Sequence, residues 1–258
     1  MVETPDTKGS KIESRERPKG KPLFKVTLLR HEETKYTDIG RDLTPAGEVR
    51  AIETGKKLKA EGRFDKSDII LAHSPKPRAE GTLELVVQGA GITVKKKHKV
   101  NKLRMSDMPG RELFMKRVVE LDHNQEAIAK DHHTNTELYE NSPNIIEPVS
   151  KKRKRLYDTL ESLVRITSWM KILSKFKKNA PYVLAVSHFE LITLLIDDVF
   201  GIENVGKYNA PSFGEYIHIE AYETKPKSNK IRLFVEYNGV TKEVYFDRAT
   251  LTIVKMAT

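Results

Sequence analysis

Cysteine is absent from this chain of 258 residues. That excludes disulfides, thiolate metal sites and a cysteine nucleophile together, and it leaves no mark of an oxidising compartment. Long apolar runs are missing as well. The N-terminal stretch MVETPDTKGSKIESRERPKGK has no apolar segment of the kind a secretory signal needs. The run LITLLI ends at Asp197 and Asp198 and is too short to span a bilayer. The expectation is a cytoplasmic globular protein without a membrane partner.

What is present is a charged surface over a possible core: 38% of residues are hydrophobic and 32% charged. The formal net charge of +10 points to anionic partners. A phosphorylated metabolite, a nucleic acid and an acidic membrane would all satisfy it, so charge alone does not choose.

Residues 1–22 are rich in Lys, Arg, Glu, Ser and Pro without apolar periodicity, which predicts a disordered basic tail. Residues 23–258 then form one domain. Phe24 to Leu29 has the dense apolar pattern of a strand covered on both faces. Thr44 and Pro45 supply an N-cap and a first helical residue, and Gly47, Ala51 and Gly55 form a small-residue stripe on the helix that follows. Asp68 to Ala72 is a second strand, Pro75 or Pro77 opens a second helix, and Ile92 and Val94 mark a weaker third strand. From about 97 to 149 the pattern fails, apart from a helical candidate around Phe114 to Ile128, and an insertion over the core is expected. A long helix is predicted from about Ser150 to Lys178, then a strand from Tyr182 to Ser187 and a helix from Leu191 to Phe200. Tyr216 to Tyr222, Ile231 to Tyr237 and Val240 to Phe246 look antiparallel, the last two joined at Asn238-Gly239. Alternating strands and helices predict a three-layer α/β sandwich with a mostly parallel sheet and a C-terminal antiparallel extension.

In such sheets ligands sit at the carboxyl ends of the strands. Three polar motifs fall there. Arg30-His31 follows VTLL, His73-Ser74-Pro75 leads into Arg78 after IILA, and Ser187-His188 follows VLAV. One histidine at a strand end is ordinarily a structural residue. Three coincident motifs bring two arginines and two histidines to one edge, which packing alone does not explain.

These residues carry a resemblance. LLRHEETKYTDIGRDLTPAGEVRA resembles the opening of the histidine phosphatase (phosphoglycerate mutase-like) superfamily, with its Arg-His pair and later Leu-Thr-x-x-Gly helix start. AHSPKPRAEGTLELV and YVLAVSHFELITLLIDDVFG resemble the family's second and third blocks, in the family's order. The resemblance implies a phosphoglycerate mutase-like fold and a metal-independent hydrolase without a cofactor. His31 would be the nucleophile forming a phosphohistidine intermediate. Arg30, Arg78 and His188 would surround the transferred phosphate, joined by Thr37 where many members carry asparagine. A neutral imidazole is a competent nucleophile near pH 7, and forked guanidinium donors suit the charge spread over a transferring phosphoryl group.

The sequence also departs from the family. Glu32 stands where the family has glycine, and Glu190 replaces a small residue. Leu103-Arg104-Met105 falls where a Leu-x-Glu segment supplies the proton donor. Asp107 is the first replacement, Glu190 the second and Glu112 the third. The expected substrate is a small phosphorylated molecule, with a phosphoprotein also open. A phosphoglycerate mutase, a catalytically silent phosphate-binding or regulatory protein, and a nucleic-acid-binding module are the competing readings.

Two further features carry less. Lys151 to Arg155 could be a nucleic-acid patch, but it also begins a helix, where a solvated charged face is ordinary. Asp122, His123, Asp131, His132 and His133 could suggest a metal site but repeat no ligand spacing.

Overall fold

The computed structural model describes residues 18, 20–35, 37, 39–64, 68–93, 96–104, 111–122, 124, 127–128, 131, 140, 147–172, 180–201, 211–225 and 228–255. Eight strands form one sheet. They are β1 (Phe24–Arg30), β2 (Ile69–His73), β3 (Lys97–Lys99), β4 (Tyr182–Ser187), β5 (Tyr216–Glu223), β6 (Lys230–Tyr237), β7 (Val240–Asp247) and β8 (Thr252–Lys255), in the order β3-β2-β4-β1-β5-β6-β7-β8. The pairs β3–β2, β2–β4 and β4–β1 are parallel. From β1 onward the pairing is antiparallel, so the C-terminal extension continues the same sheet.

Helices cover both faces. α1 (Pro45–Ala60) and α2 (Pro77–Ala90) lie on one side, where Ala51, Leu58, Leu83 and Val86 share a core with Leu29, Leu71 and Leu184. α4 (Val149–Ile172) and α5 (Phe189–Phe200) lie on the other, packing Leu156, Leu160, Leu191 and Leu195 against Val26, Leu28, Val183 and Ile219. A shorter helix, α3 (Arg111–Glu120), precedes α4.

The helix starts follow from local chemistry. The Thr44 hydroxyl accepts the Gly47 N–H at 3.0 Å and Pro45 fills the first turn of α1. Pro77, not Pro75, begins α2. The small-residue stripe lets α1 and α2 approach closely: a Cβ at Gly55 would overlap the Val86 carbonyl, and one at Gly89 that of Ile52. Asn238 and Gly239 turn β6 into β7 with φ of 47° and 75°, as a tight hairpin requires.

Some expectations are corrected. The third strand is Lys97–Lys99; Ile92 lies outside any strand and Val94 outside the described residues. The first three residues of the expected insertion are therefore part of the sheet edge. The helical candidate at Phe114 to Ile128 is shorter and earlier, as α3. The long helix is described to Ile172, so its expected last turns lie outside the described residues, as does nearly all of the N-terminal tail.

The basic run is not simply a solvated face. Lys152 is wholly buried, Arg153 pairs with Asp198 at 2.9 Å, and Arg155 is tied to Glu147 at 2.7 Å and to the Arg104 carbonyl at 2.6 Å. Lys151 is exposed, and so is Lys154, which reaches Asp158 along its own helix. Among the described residues no helix is long and apolar enough to cross a membrane.

Candidate active site

Strand register assembles the site. Arg30 stands opposite Ser187 and His73 opposite Val186, so β1, β2 and β4 end level with one another. The ladder runs one step further on each side. The His31 N–H donates to the Ser187 carbonyl at 3.0 Å and the Ser74 N–H to that of Val186 at 3.0 Å. His31, Ser74 and His188 are thereby neighbours at one edge although far apart in sequence. The His31 and His188 rings lie edge to face with centroids 5.0 Å apart.

His31 is 5% exposed, and its Nδ1 lies 2.8 Å from the Glu32 carbonyl oxygen. A carbonyl only accepts, so Nδ1 carries the hydrogen and Nε2 keeps its lone pair. Burial, helped by the charges of Arg78 and Arg30, lowers the His31 pKa to about 3 against the pull of the Glu32 carbonyl. His188 is held well below the usual imidazole range, first by burial and then by its cationic neighbours. Both rings are uncharged at neutral pH.

The arginines are buried beside them. Arg30 donates to the Pro211 carbonyl at 2.6 Å, and its guanidinium lies 4.0 Å from the centre of the Phe213 ring and 5.1 Å from that of Phe189. Phe213 also touches the His31 ring, with centroids 5.8 Å apart. Arg78 pairs with buried Asp42, Nη1 to Oδ2 at 3.6 Å. Asp42 sits in the left-handed region with φ of 54°, a conformation Asp tolerates better than most residues. Its other oxygen accepts the Thr37 N–H at 2.7 Å and the Thr37 hydroxyl at 2.8 Å.

Glu32, directly after His31, turns its side chain inward. Its side chain is 1% exposed, held by Arg50 at 3.2 Å, and burial raises its pKa while Arg50 opposes the rise. The carboxylate packs over Gly214, whose φ is 75° and where a Cβ would overlap it. The same Arg50 reaches Glu33 at 3.0 Å, and Glu33 accepts the Thr44 hydroxyl at 3.1 Å. The turn after His31 is thus fastened to the start of α1 and to the loop carrying Pro211 and Phe213.

A family model described as the histidine phosphatase superfamily (branch 1) matches residues 26–235. The chain belongs to that superfamily. Its fold is similar to that of a solved structure described as mycobacterial hydrolase 1, with 15% identity, a TM-score of 0.57, and 85% of this chain and 100% of that one covered. Mycobacterial glucosyl-3-phosphoglycerate phosphatase gives 15% identity and a TM-score of 0.56, again over 85% and 100% of the two chains. Phosphoglycerate mutase from Bacillus anthracis gives 18% identity and a TM-score of 0.53, over 88% and 95%. At such identities the likeness is one of fold. Comparison with curated protein sequences finds no match.

Of the superfamily residues inferred from sequence, His31, Arg30, Arg78 and His188 come together, all buried. Thr37 is exposed and meets the site through Asp42 and Arg78. Glu190 is half-buried in the first turn of α5, Glu112 is exposed on α3, and Asp107 and Met105 lie outside the described residues. Asp131 is occupied by Arg117 at 2.6 Å, and His123, His132 and His133 are outside the described residues. Sequence reasoning did not single out Asp42, Phe213 or Gly214. For Asp42 the signal was available as an Asp two residues after Gly40 and two before the Thr44 helix cap. Phe213 and Gly214 act only through contacts with residues far away in the chain.

Proposed function

We propose that this superfamily member hydrolyses phosphomonoesters through a phosphohistidine on His31. One observation carries the reading: a buried, uncharged His31 whose Nδ1–H is held by the Glu32 carbonyl, leaving Nε2 as a bare nucleophile. In this reading Nε2 attacks phosphorus, the bond from phosphorus to the ester oxygen breaks, and the departing oxygen takes a proton. Water then attacks the phosphohistidine, releasing inorganic phosphate and restoring the imidazole. Arg30 and Arg78 serve twice. In the empty site their charges help keep His31 unprotonated, and during transfer they oppose the charge on the phosphoryl oxygens. Thr37 supports Arg78 through Asp42.

The substrate is a small phosphorylated molecule and the reaction needs no metal, because fixed cationic side chains supply the electrostatic stabilisation. Asp107 is the first candidate for the proton donor and Glu190 the second. A general acid contributes ~100- to 10,000-fold to an ester whose leaving group needs a proton. The test compares alkyl phosphates with p-nitrophenyl phosphate. Asp107→Asn is expected to slow the alkyl esters severely and the nitrophenyl ester little, with Glu190→Gln giving the smaller effect. The reverse ranking would move the role to Glu190. A protein that hydrolyses neither kind of ester yet binds inorganic phosphate would contradict the proposal.

A further inference from the structure

Ser74 has no assigned role, yet it is fully buried against His188, with Oγ 2.6 Å from Nε2. Distance alone leaves two arrangements, because either atom could donate. The surroundings choose between them. The Ser74 oxygen already accepts the Lys76 N–H at 3.3 Å, and among the described residues its hydroxyl has no acceptor other than His188 Nε2. If His188 donated instead, two buried groups would lack partners among the described residues, the hydroxyl hydrogen and the Nδ1 lone pair, whereas donation by Ser74 leaves one, the Nδ1–H. Ser74 therefore donates to Nε2, and the ring hydrogen of neutral His188 sits on Nδ1. That nitrogen is buried and among the described residues has no hydrogen-bond partner. It belongs to a ring whose centroid is 5.0 Å from that of His31.

We propose that Ser74 is a positioning residue that locks His188 in the Nδ1–H tautomer, so that an uncharged His188 offers an N–H donor to the transferred phosphoryl group. The functional half of this statement rests on the phosphatase reading above; the tautomer does not. Two uncharged imidazoles then divide the work by the location of one hydrogen each. His31, tied at Nδ1 to the Glu32 carbonyl, offers a lone pair at Nε2. His188, tied at Nε2 to the Ser74 hydroxyl, offers a hydrogen at Nδ1. No proton has to be taken up to make the pocket receptive. Ser74 is itself held from three sides. Its N–H donates to the Val186 carbonyl, its Oγ accepts from Lys76, and its carbonyl accepts from His73 Nδ1 at 2.8 Å. His73 thus has an interior task in supporting Ser74.

The test is nitrogen NMR on the full chain with 15N-labelled histidine, the His188 signals being assigned by their loss in His188→Gln. Protonated and lone-pair nitrogens resonate far apart, so the tautomer is read directly. Wild type is expected to carry the hydrogen on Nδ1. Ser74→Ala is expected to shift His188 toward Nε2–H, and Ser74→Thr, which keeps the hydroxyl, to restore the wild-type pattern. In kinetics with p-nitrophenyl phosphate, Ser74→Ala should lower kcat by about 10-fold or more with little change in KM. This is less than the ~100- to 1,000-fold cost of removing such a donor outright. An Nε2–H tautomer in the wild type overturns the proposal, whatever the fate of the variants. An unchanged tautomer in Ser74→Ala overturns it too. A Ser74-dependent tautomer in a protein that turns over no phosphate ester would remove the phosphatase reading and leave the lock standing.

Discussion

His31 and His188 are both buried with folded-state pKa values below the ordinary 6.5, His31 at about 3. Each must therefore take up a proton when the chain unfolds in mild acid. The stability they contribute is complete above about 6.5 and is lost as the pH falls, for His31 from there toward about 3. The urea midpoint is expected to fall steadily between pH 7 and pH 4, and His31→Asn to make that fall shallower. A midpoint that stays level across the range would contradict the burial of two neutral imidazoles. Gly214 is a second residue whose context decides its identity, because it has a positive φ and the Glu32 carboxylate occupies the place of its Cβ. Gly214→Ala is expected to cost about 1–3 kcal/mol in urea denaturation. It should also lower activity by disturbing Pro211 and Phe213, which hold Arg30. Retention of full stability and activity would remove the proposed coupling between Glu32 and this loop.

At the scale of elements, the sequence was informative wherever burial or caps imposed a pattern. Phe24 to Leu29 and Tyr182 to Ser187 are covered on both faces, so near-continuous apolar runs marked β1 and β4. Thr44-Pro45 and Asn238-Gly239 marked a helix start and a hairpin because few residues meet those backbone requirements. β3 was not legible. Lys97, His98 and Lys99 are all exposed on a strand that among the described residues pairs with β2 alone, and no apolar residue records the pairing. α4 misled in the opposite direction, since a run of five basic residues conceals three with interior partners or positions. Arg155 and Glu147 have side chains only 11% and 8% exposed. Arg155→Ala is therefore expected to cost about 1–3 kcal/mol, because it removes the nearer of two cations from a buried carboxylate that keeps Arg104 at 3.7 Å. Lys154→Ala, at 68% exposure, should change stability by less than about 0.5 kcal/mol. Chemical denaturation of the two variants checks the contrast, and equal effects would refute the distinction within the run.

The molecule as a whole joins a parallel half, whose strand ends hold the candidate site, to an antiparallel half that continues the sheet from β5. The four central residues were legible because each directly follows or ends a buried strand, or opens the helix after one, so local pattern and sheet topology agree on their place. Their supports were not. Asp42 meets Arg78 and Phe213 meets Arg30 across long stretches of chain, and nothing local to either residue announces the partner. With Arg30, Arg78 and two imidazoles gathered at one edge, activity is expected to survive prolonged treatment with a chelator. Loss in chelator with recovery on adding a divalent ion would count against charge stabilisation by side chains alone. The central claim concerns a single covalent bond, and rapid quenching tests it most directly. Mixing the protein with a phosphomonoester, quenching in alkali and mapping the labelled peptide should find phosphate on the His31 imidazole, acid-labile and absent from His31→Ala. Phosphate on another residue alone, with His31→Ala still turning over, would contradict the account.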